Sequence, residues 1–209
     1  MATQDQSTES TFPQNGWHTH TWDGNTYTGN WEEGKRHGEG TFHHKNGDTY
    51  KGEFYKGKMT GRGVYNFAGG NRYEGQLLNN KKQGEGKFTF KNGGGYKGKY
   101  QDDEQHGVGT ATYVNGNVYE GEWRRGMRHG NGKLQLRSGV MYVGSFENNQ
   151  MHGKGKTVWP DGSTQEGEYR NGKQHGWYGW ALTENQEAKL SKTTHVVFIL
   201  GIFCFMIFD

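Results

Sequence analysis

The chain has one cysteine, Cys204, and two prolines among its 209 residues. A single thiol builds neither a disulfide framework nor a cysteine zinc site. With so little proline, the 37 glycines belong neither to collagen nor to a proline-rich linker. Large aliphatics are scarce too: Leu, Ile, Val and Phe number 30, about 14% of the chain. Disorder at that level would also need a high net charge, and the chain carries only +3. So small an excess of base does not suggest wholesale nucleic-acid binding. Met1 to Gln14 holds no apolar run of a secretory signal, and no Asn-x-Ser/Thr acceptor occurs. A reducing compartment is the default, and the cytoplasm is the expected location.

What is present is glycine, at about 18% against a usual ~7%, together with 7 Trp, 12 Tyr and 11 Phe. This mixture points to many tight turns and a thin aromatic core. It argues against a helix bundle and against a doubly wound enzyme domain.

Glycine this frequent calls for a search for repeats. Tyrosine stands at 27, 50, 73, 96, 119 and 142, with Gln165 in the seventh place. The period is 23 residues without insertion or deletion. With each of these residues as position 1, position 3 is glycine, from Gly29 and Gly52 through Gly121 to Gly167. Position 5 is Trp31, Phe54, Leu77, Tyr100, Trp123, Phe146 and Tyr169. Position 8 takes only Gly, Asn or Asp; position 12 is always glycine, and position 14 is glycine in six repeats. Positions 20 and 21 read Asn46-Gly47, Gly69-Gly70, Asn92-Gly93, Asn115-Gly116, Ser138-Gly139 and Asp161-Gly162.

Side chains alternate along a strand, so positions 1, 3 and 5 share a face, as do 12, 14, 16 and 18 of a second strand. Position 8 holds residues that reach positive φ at little cost, which makes it the turn between the strands. Asn-Gly and Asp-Gly mark the second turn. The expected fold is all-β: an elongated single-sheet ribbon of seven tandem 23-residue β-hairpins, with a short C-terminal helical tail. One hairpin cannot stand alone, so stability comes from stacking neighbours. The expected organisation is a polar N-terminus and half-repeat cap (1–26), the array (27–180), a polar helical linker (181–192) and a hydrophobic tail (193–209). The repeats start at 27, 50, 73, 96, 119, 142 and 165. The residues assigned to building them are Tyr27, Gly29, Trp31, Tyr50, Gly52, Phe54, Tyr73, Tyr96, Tyr119, Gly121, Trp123, Tyr142 and Phe146.

Tyr-x-Gly-x-Trp/Phe-x-x-Gly-x-x-x-Gly-x-Gly at this spacing resembles the MORN (membrane occupation and recognition nexus) repeat family. Tyr27, Gly29, Trp31, Gly34, Gly38 and Gly40 match it position for position, as do Tyr119, Gly121, Trp123, Gly126, Gly130 and Gly132. Departures are Asn80, Asp103 and Asn149 at position 8, Leu77 for the aromatic, and Gln165 for tyrosine. The resemblance implies an antiparallel ribbon used for scaffolding and partner binding. Junctophilins, radial-spoke head proteins, and some phosphoinositide kinases and lysine methyltransferases carry such repeats. In those enzymes catalysis resides in a separate domain. The likeness to radial-spoke proteins implies a ciliary or axonemal setting, to which no residue pattern adds.

No catalytic, metal or cofactor-binding residues are expected. Gly93 to Gly98 fits G-x-G-x-x-G, but its glycines are repeat positions and no helix pattern follows. Histidine recurs at position 11 (His37, His106, His129, His152, His175). Equivalent positions would lie roughly 10 Å apart, too far to share an ion. Glu120 and Glu122 fall on the outer face, with Lys97 and Lys99 one repeat earlier, which reads as cross-strand charge pairing.

The first-turn edge carries Lys35, Arg36, Lys58, Arg62, Lys81, Lys82, Arg124, Arg125 and Arg128. These are the candidate partner- or lipid-binding residues, set against the ordinary role of charge in keeping hairpin tips soluble. The expected function is a non-catalytic scaffold that clasps a partner helix or strand on its aromatic sheet face, with basic tips assisting. The alternative is a membrane-tethered adaptor that meets anionic phospholipid through the basic edge and tail. Val196 to Phe208 carries no charge, but thirteen helical residues reach only about 20 Å, against a hydrocarbon core of about 30 Å. Three readings of the tail stand side by side: a short membrane anchor, a segment docked on the ribbon or in a homodimer, and an atypical isoform end.

Overall fold

The computed structural model describes residues 12–181. Every regular element among them is a strand. The first hairpins use β1 (Gly16–Trp22), β2 (Asn25–Glu32), β3 (Lys35–His43), β4 (Thr49–Tyr55) and β5 (Lys58–Asn66). There follow β6 (Arg72–Leu78), β7 (Lys81–Thr89), β8 (Gly95–Gln101), β9 (Glu104–Thr112) and β10 (Val118–Arg124). The last are β11 (Met127–Gln135), β12 (Met141–Glu147), β13 (Gln150–Val158), β14 (Thr164–Arg170) and β15 (Lys173–Ala181). Sheet order is chain order, as expected of tandem hairpins. Two compact units divide the described residues, 12–127 and 128–181. The proposed tail and most of the proposed linker lie outside the described residues. Ala181 is a correction to the helical linker: it pairs with Thr164 and closes β15.

In the first unit one cross-strand line carries the ring positions. Tyr27 faces Phe42, which faces Tyr50, then Tyr65, Tyr73, Phe88, Tyr96, Ala111 and Tyr119. Two residues along each strand, a parallel line is glycine throughout, from Gly29 and Gly40 to Gly109 and Gly121. The tyrosine ring folds over this glycine row. A Cβ on Gly40 would collide with the Tyr27 ring, and one on Gly63 with the ring of Tyr50. Each hydroxyl then donates to the carbonyl three residues on: Tyr27 to Asn30 at 3.1 Å, Tyr73 to Gln76 at 2.7 Å, Tyr119 to Glu122 at 2.9 Å. In the second unit Tyr142 donates likewise to Ser145, at 3.1 Å.

The hydroxyl goes there because the ladder is interrupted at that point. Between β2 and β3, Gly29 pairs with Gly40 but Asn30 pairs with His37, which leaves Gly38 and Glu39 as a bulge. Gly38 sits at φ +58°, a left-handed conformation that glycine adopts without a Cβ penalty. The tyrosine hydroxyl enters the gap, 3.1 Å from the Asn30 oxygen and 3.4 Å from that of His37. Position 12 is therefore a bulge rather than a site of close ring packing.

The core is a chain of edge-to-face rings. Tyr27 meets Trp31 at 5.2 Å and Phe54 at 5.0 Å; Tyr96 meets Tyr100 at 5.2 Å and Trp123 at 5.1 Å. Such pairs contribute about 0.5–1.5 kcal/mol each beyond the area they bury. Tyr27, Tyr50, Tyr73 and Tyr119 are fully buried, as is Phe54.

The two turns differ. At the first, both central residues are left-handed: Glu33 and Gly34 at φ 49° and 69°, Asn79 and Asn80 at 53° and 70°, Asn171 and Gly172 at 51° and 76°. That is the hairpin turn whose twist matches the strands. Neighbouring first turns are stitched together, Gly57 N–H to Arg36 O at 2.8 Å and Asn80 N–H to Met59 O at 2.9 Å. Where position 8 is not glycine, its side chain adds a bond: Asn80 accepts from Met59 N–H, Asp103 from Lys82 N–H and Asn149 from Arg128 N–H. The second turn is longer. His44 O accepts from Gly47 N–H at 2.8 Å, His44 N–H donates to Asp48 O at 2.9 Å, and Gly47 stands at φ +90°. Asn-Gly here closes a three-residue loop with a glycine bulge. Asp48 fastens it to the next loop, accepting from Ala68 N–H and Tyr65 O–H, both at 2.8 Å, which holds its carboxyl below the usual range.

Candidate functional site

The nine candidate cations part company in the structure. Arg36 and Lys82, at position 10, turn onto the ring face. The Arg36 guanidinium lies 4.7 Å from the Phe42 centroid and 5.2 Å from Phe54, and it donates to Gly57 O at 2.7 Å. Burial lowers its pKa, with nearby Tyr27 acting the other way. The Lys82 ammonium sits 5.4 Å from the Phe88 ring, 5.5 Å from Tyr100 and 5.9 Å from Tyr73. In the second unit Arg128 lies 5.5 Å from Phe146. These three brace the sheet's own rings, so they are corrected from edge residues to packing residues. The physical reason is parity: position 10 falls on the same face as 12, 14 and 16.

Lys35 and Lys58 are exposed at the first-turn edge. Lys81 is exposed but paired with Asp102 at 3.0 Å, which raises its pKa through the hydrogen bond and the charge. Arg124 and Arg125 are exposed and line a polar cleft of about 380 Å³ with Asp102, Glu104 and His106. Arg62, at position 13, lies away from this edge in a groove on the opposite face. That groove, of about 820 Å³, was not foreseen from the sequence. Its floor is the glycine row (Gly52, Gly63, Gly75, Gly86), and its walls mix Lys51, Arg62, Lys87 and Lys97 with Glu39, Glu74 and Glu85. Facing glycines at positions 3 and 14 were the available signal, but reading it needs the strand register.

The expected pairing of Glu120 with Lys97 is also corrected. Glu120 faces Thr110, and Thr110 faces Lys97, so a strand stands between the charges. Position 11 histidines address glutamates of their own hairpins, His37 to Glu32 at 2.6 Å and His152 to Glu147 at 3.5 Å. Among the described residues no group of three or more His, Cys, Asp or Glu is placed to hold a metal. Among the described residues no helix is long and apolar enough to cross a membrane.

The ring face is not uniformly closed. Its rings at positions 1 and 5 are buried, but the half near the second turns is open: Tyr65, Phe67 and Phe88 are half-buried, Phe90 is 45% exposed and Tyr113 37%. Tyr65 and Phe67 lie 4.5 Å apart, Phe67 and Phe88 5.8 Å, Phe88 and Phe90 4.9 Å, a continuous strip.

Tandem β-hairpins at one repeat length, six of them with a tyrosine folded over a glycine row, define a β-repeat protein. The sequence matches the MORN repeat at 27–49, 50–72, 73–95, 96–118, 119–141, 142–164 and 166–176. The chain belongs to the MORN repeat family. No curated protein matches it. Among solved structures it is similar to the TCP domain of Drosophila melanogaster SAS-4, in complex with a proline-rich motif of Ana2. Identity there is 11% over 73% of this chain and 90% of that one, with a TM-score of 0.45. It is also similar to the G-box domain of the microcephaly protein CPAP, with 14% identity over 78% and 99% of the two chains and a TM-score of 0.41. The wild-type TCP10 domain of Danio rerio CPAP gives 11% identity over 78% and 86%, with a TM-score of 0.39.

Proposed function

We propose that the chain is a non-catalytic repeat scaffold whose aromatic sheet face binds a protein partner, helix or strand. The observation that carries this reading is the open strip of rings at the second-turn half of that face. Exposed aromatic residues grouped on one surface are what protein interfaces enrich and what an isolated sheet has no internal use for. Arg124 and Arg125 act as the steering charges, at the far end of the repeat from the strip. A lipid-facing basic edge is favoured by no observation: three of its nine cations serve the sheet's own rings, and Lys81 is paired with Asp102. The working location is the cytoplasm.

Affinity capture with the full chain tests the reading. Phe90→Ser combined with Tyr113→Ser removes the strip at exposed positions and is expected to abolish capture of the partner without lowering the melting temperature. Arg124→Glu with Arg125→Glu is expected to slow association and steepen its salt dependence. Undiminished capture by the Ser double variant would refute the ring strip as the site.

A further inference from the structure

One place on the ring face departs from the repeat. Position 5 carries a ring in the neighbouring repeats (Trp31, Phe54, Tyr100, Trp123), but the third repeat has Leu77. Tyr50 therefore lacks the next repeat's ring that Tyr27 finds in Phe54, and Tyr73 lacks the ring of its own repeat that Tyr27 finds in Trp31; each keeps one edge-to-face partner, Phe54 and Tyr100 respectively. The adjoining position 10 is reduced as well. Arg36 and Lys82 cover their rings with a cation, whereas the second repeat places the slimmer, neutral Met59 there. A pocket of about 270 Å³ opens where these two reductions meet. Met59, Tyr65, Phe67 and Leu77 form its apolar walls, and Lys82 and Asp103 stand at its rim.

We propose that this pocket is a socket for one aromatic side chain of the protein partner, tyrosine or tryptophan. The repeat states the shape of what is missing, since a ring fills the equivalent place in the repeats on either side. Lys82 argues for an aromatic over an aliphatic occupant. Its ammonium already faces three rings, its side chain is 23% exposed, and it presents a cation to whatever ring enters beside Leu77. Asp103 selects within the aromatics. Its carboxylate, 48% exposed and 4.0 Å from the Lys82 ammonium, has acceptor capacity for a phenol O–H or an indole N–H. Met59 adapts the wall, because an unbranched thioether repacks against a ring with little loss. The socket adjoins Tyr65 and Phe67 of the open strip, so it supplies the anchor of the partner-binding surface and rests on that reading.

The test uses the ¹⁵N-labelled full chain titrated with N-acetyl-tryptophanamide, and with N-acetyl-leucinamide for comparison. Amide resonances of Leu77 and Lys82 are the readout. The tryptophan probe is expected to give saturable shifts there with a millimolar dissociation constant, the scale of a single side chain, and the leucine probe none. Leu77→Phe restores the repeat's own ring and is expected to weaken the probe by about tenfold or more. Should that variant not fold, as shown by lost amide dispersion, Met59→Arg places the cation of the first and third repeats over the same space and gives the same loss. No saturable shift at Leu77 and Lys82, equal shifts with the leucine probe, or undiminished binding in the folded filled variant would each overturn the socket. None of these results depends on the partner, so the socket can fail while capture through Phe90 and Tyr113 stands.

Discussion

Within the second unit, repeats six and seven differ at their first residue, Tyr142 in one and Gln165 in the other. The Tyr142 ring lies over Gly144 and Gly155, and its hydroxyl bonds Ser145 O at 3.1 Å. The β12–β13 ladder shifts register once, and Gly153 takes φ +64°. In repeat seven Gln165 stands where the ring would be. The β14–β15 ladder shifts twice, and Gly176, the counterpart of Gly153, is not left-handed and has open space where a Cβ would go. The tyrosine therefore goes with a single register shift and a left-handed glycine at position 12: the ring covers the glycine row, and the hydroxyl bonds the Ser145 carbonyl beside the shift.

The widest separation is expected from removing the first side chain of each repeat. Tyr142→Ala should cost about 3–5 kcal/mol, as a buried aromatic truncation does, read as faster hydrogen exchange across β12 and β13. Gln165→Ala should stay within about 0.5 kcal/mol; equal losses would mean that the ring does not set the register. Next in size come the glycines. Gly153→Ala forces a side chain into left-handed backbone at about 1–2 kcal/mol, whereas Gly176→Ala should be neutral or slightly stabilising in urea titration. A comparable loss at both would show that Gly176 also takes left-handed backbone.

The smallest effect is one of pH. Burial pushes the Tyr142 hydroxyl up to about 12, with Tyr169 adding to the rise, while the unfolded chain titrates near 10. A raised pKa in the fold means that the stabilisation is complete below about pH 10 and is lost as the pH climbs to about 12. Tyr27 and Tyr65, also raised by burial to about 12, lose stability over the same window. Tyr142→Phe should be about 1 kcal/mol less stable at pH 7, through the lost bond to Ser145, yet lose less between pH 10 and 12. An alkaline unfolding curve no shallower than that of the parent would remove Tyr142 ionisation from the account.

Much of the fold was legible because the repeat prints it seven times. The tyrosine spacing gave the hairpins, and the Gly, Asn and Asp of position 8 gave the first turn. Position 7 stayed hidden. It is left-handed too, but Glu33, Lys56 and Arg125 stand there at φ 47° to 50°, and none of those residue types announces such a backbone. The candidate site was read less well, for two reasons. Continuing the even positions back from 12 to 10 would have put Arg36, Lys82 and Arg128 on the ring face beside Met59 and Met151. The groove over the glycine row arises only when facing strands are in register, which no single strand's sequence states. The Leu77 gap, by contrast, was in view as a departure from the aromatic at position 5, and only its volume required the fold.

Strictly sequential pairing has a consequence for how such a chain comes into being. The turn-to-turn bonds join residues about one repeat apart, as from Met59 to Asn80, and among the described residues ladders run between successive strands. Nothing a hairpin needs is far away in the chain, so closing each one costs little loop entropy. A hairpin emerging from the ribosome finds its template already made, in the edge of the hairpin before it. Assembly can then keep pace with synthesis, with one growing edge exposed to wrong pairing at a time.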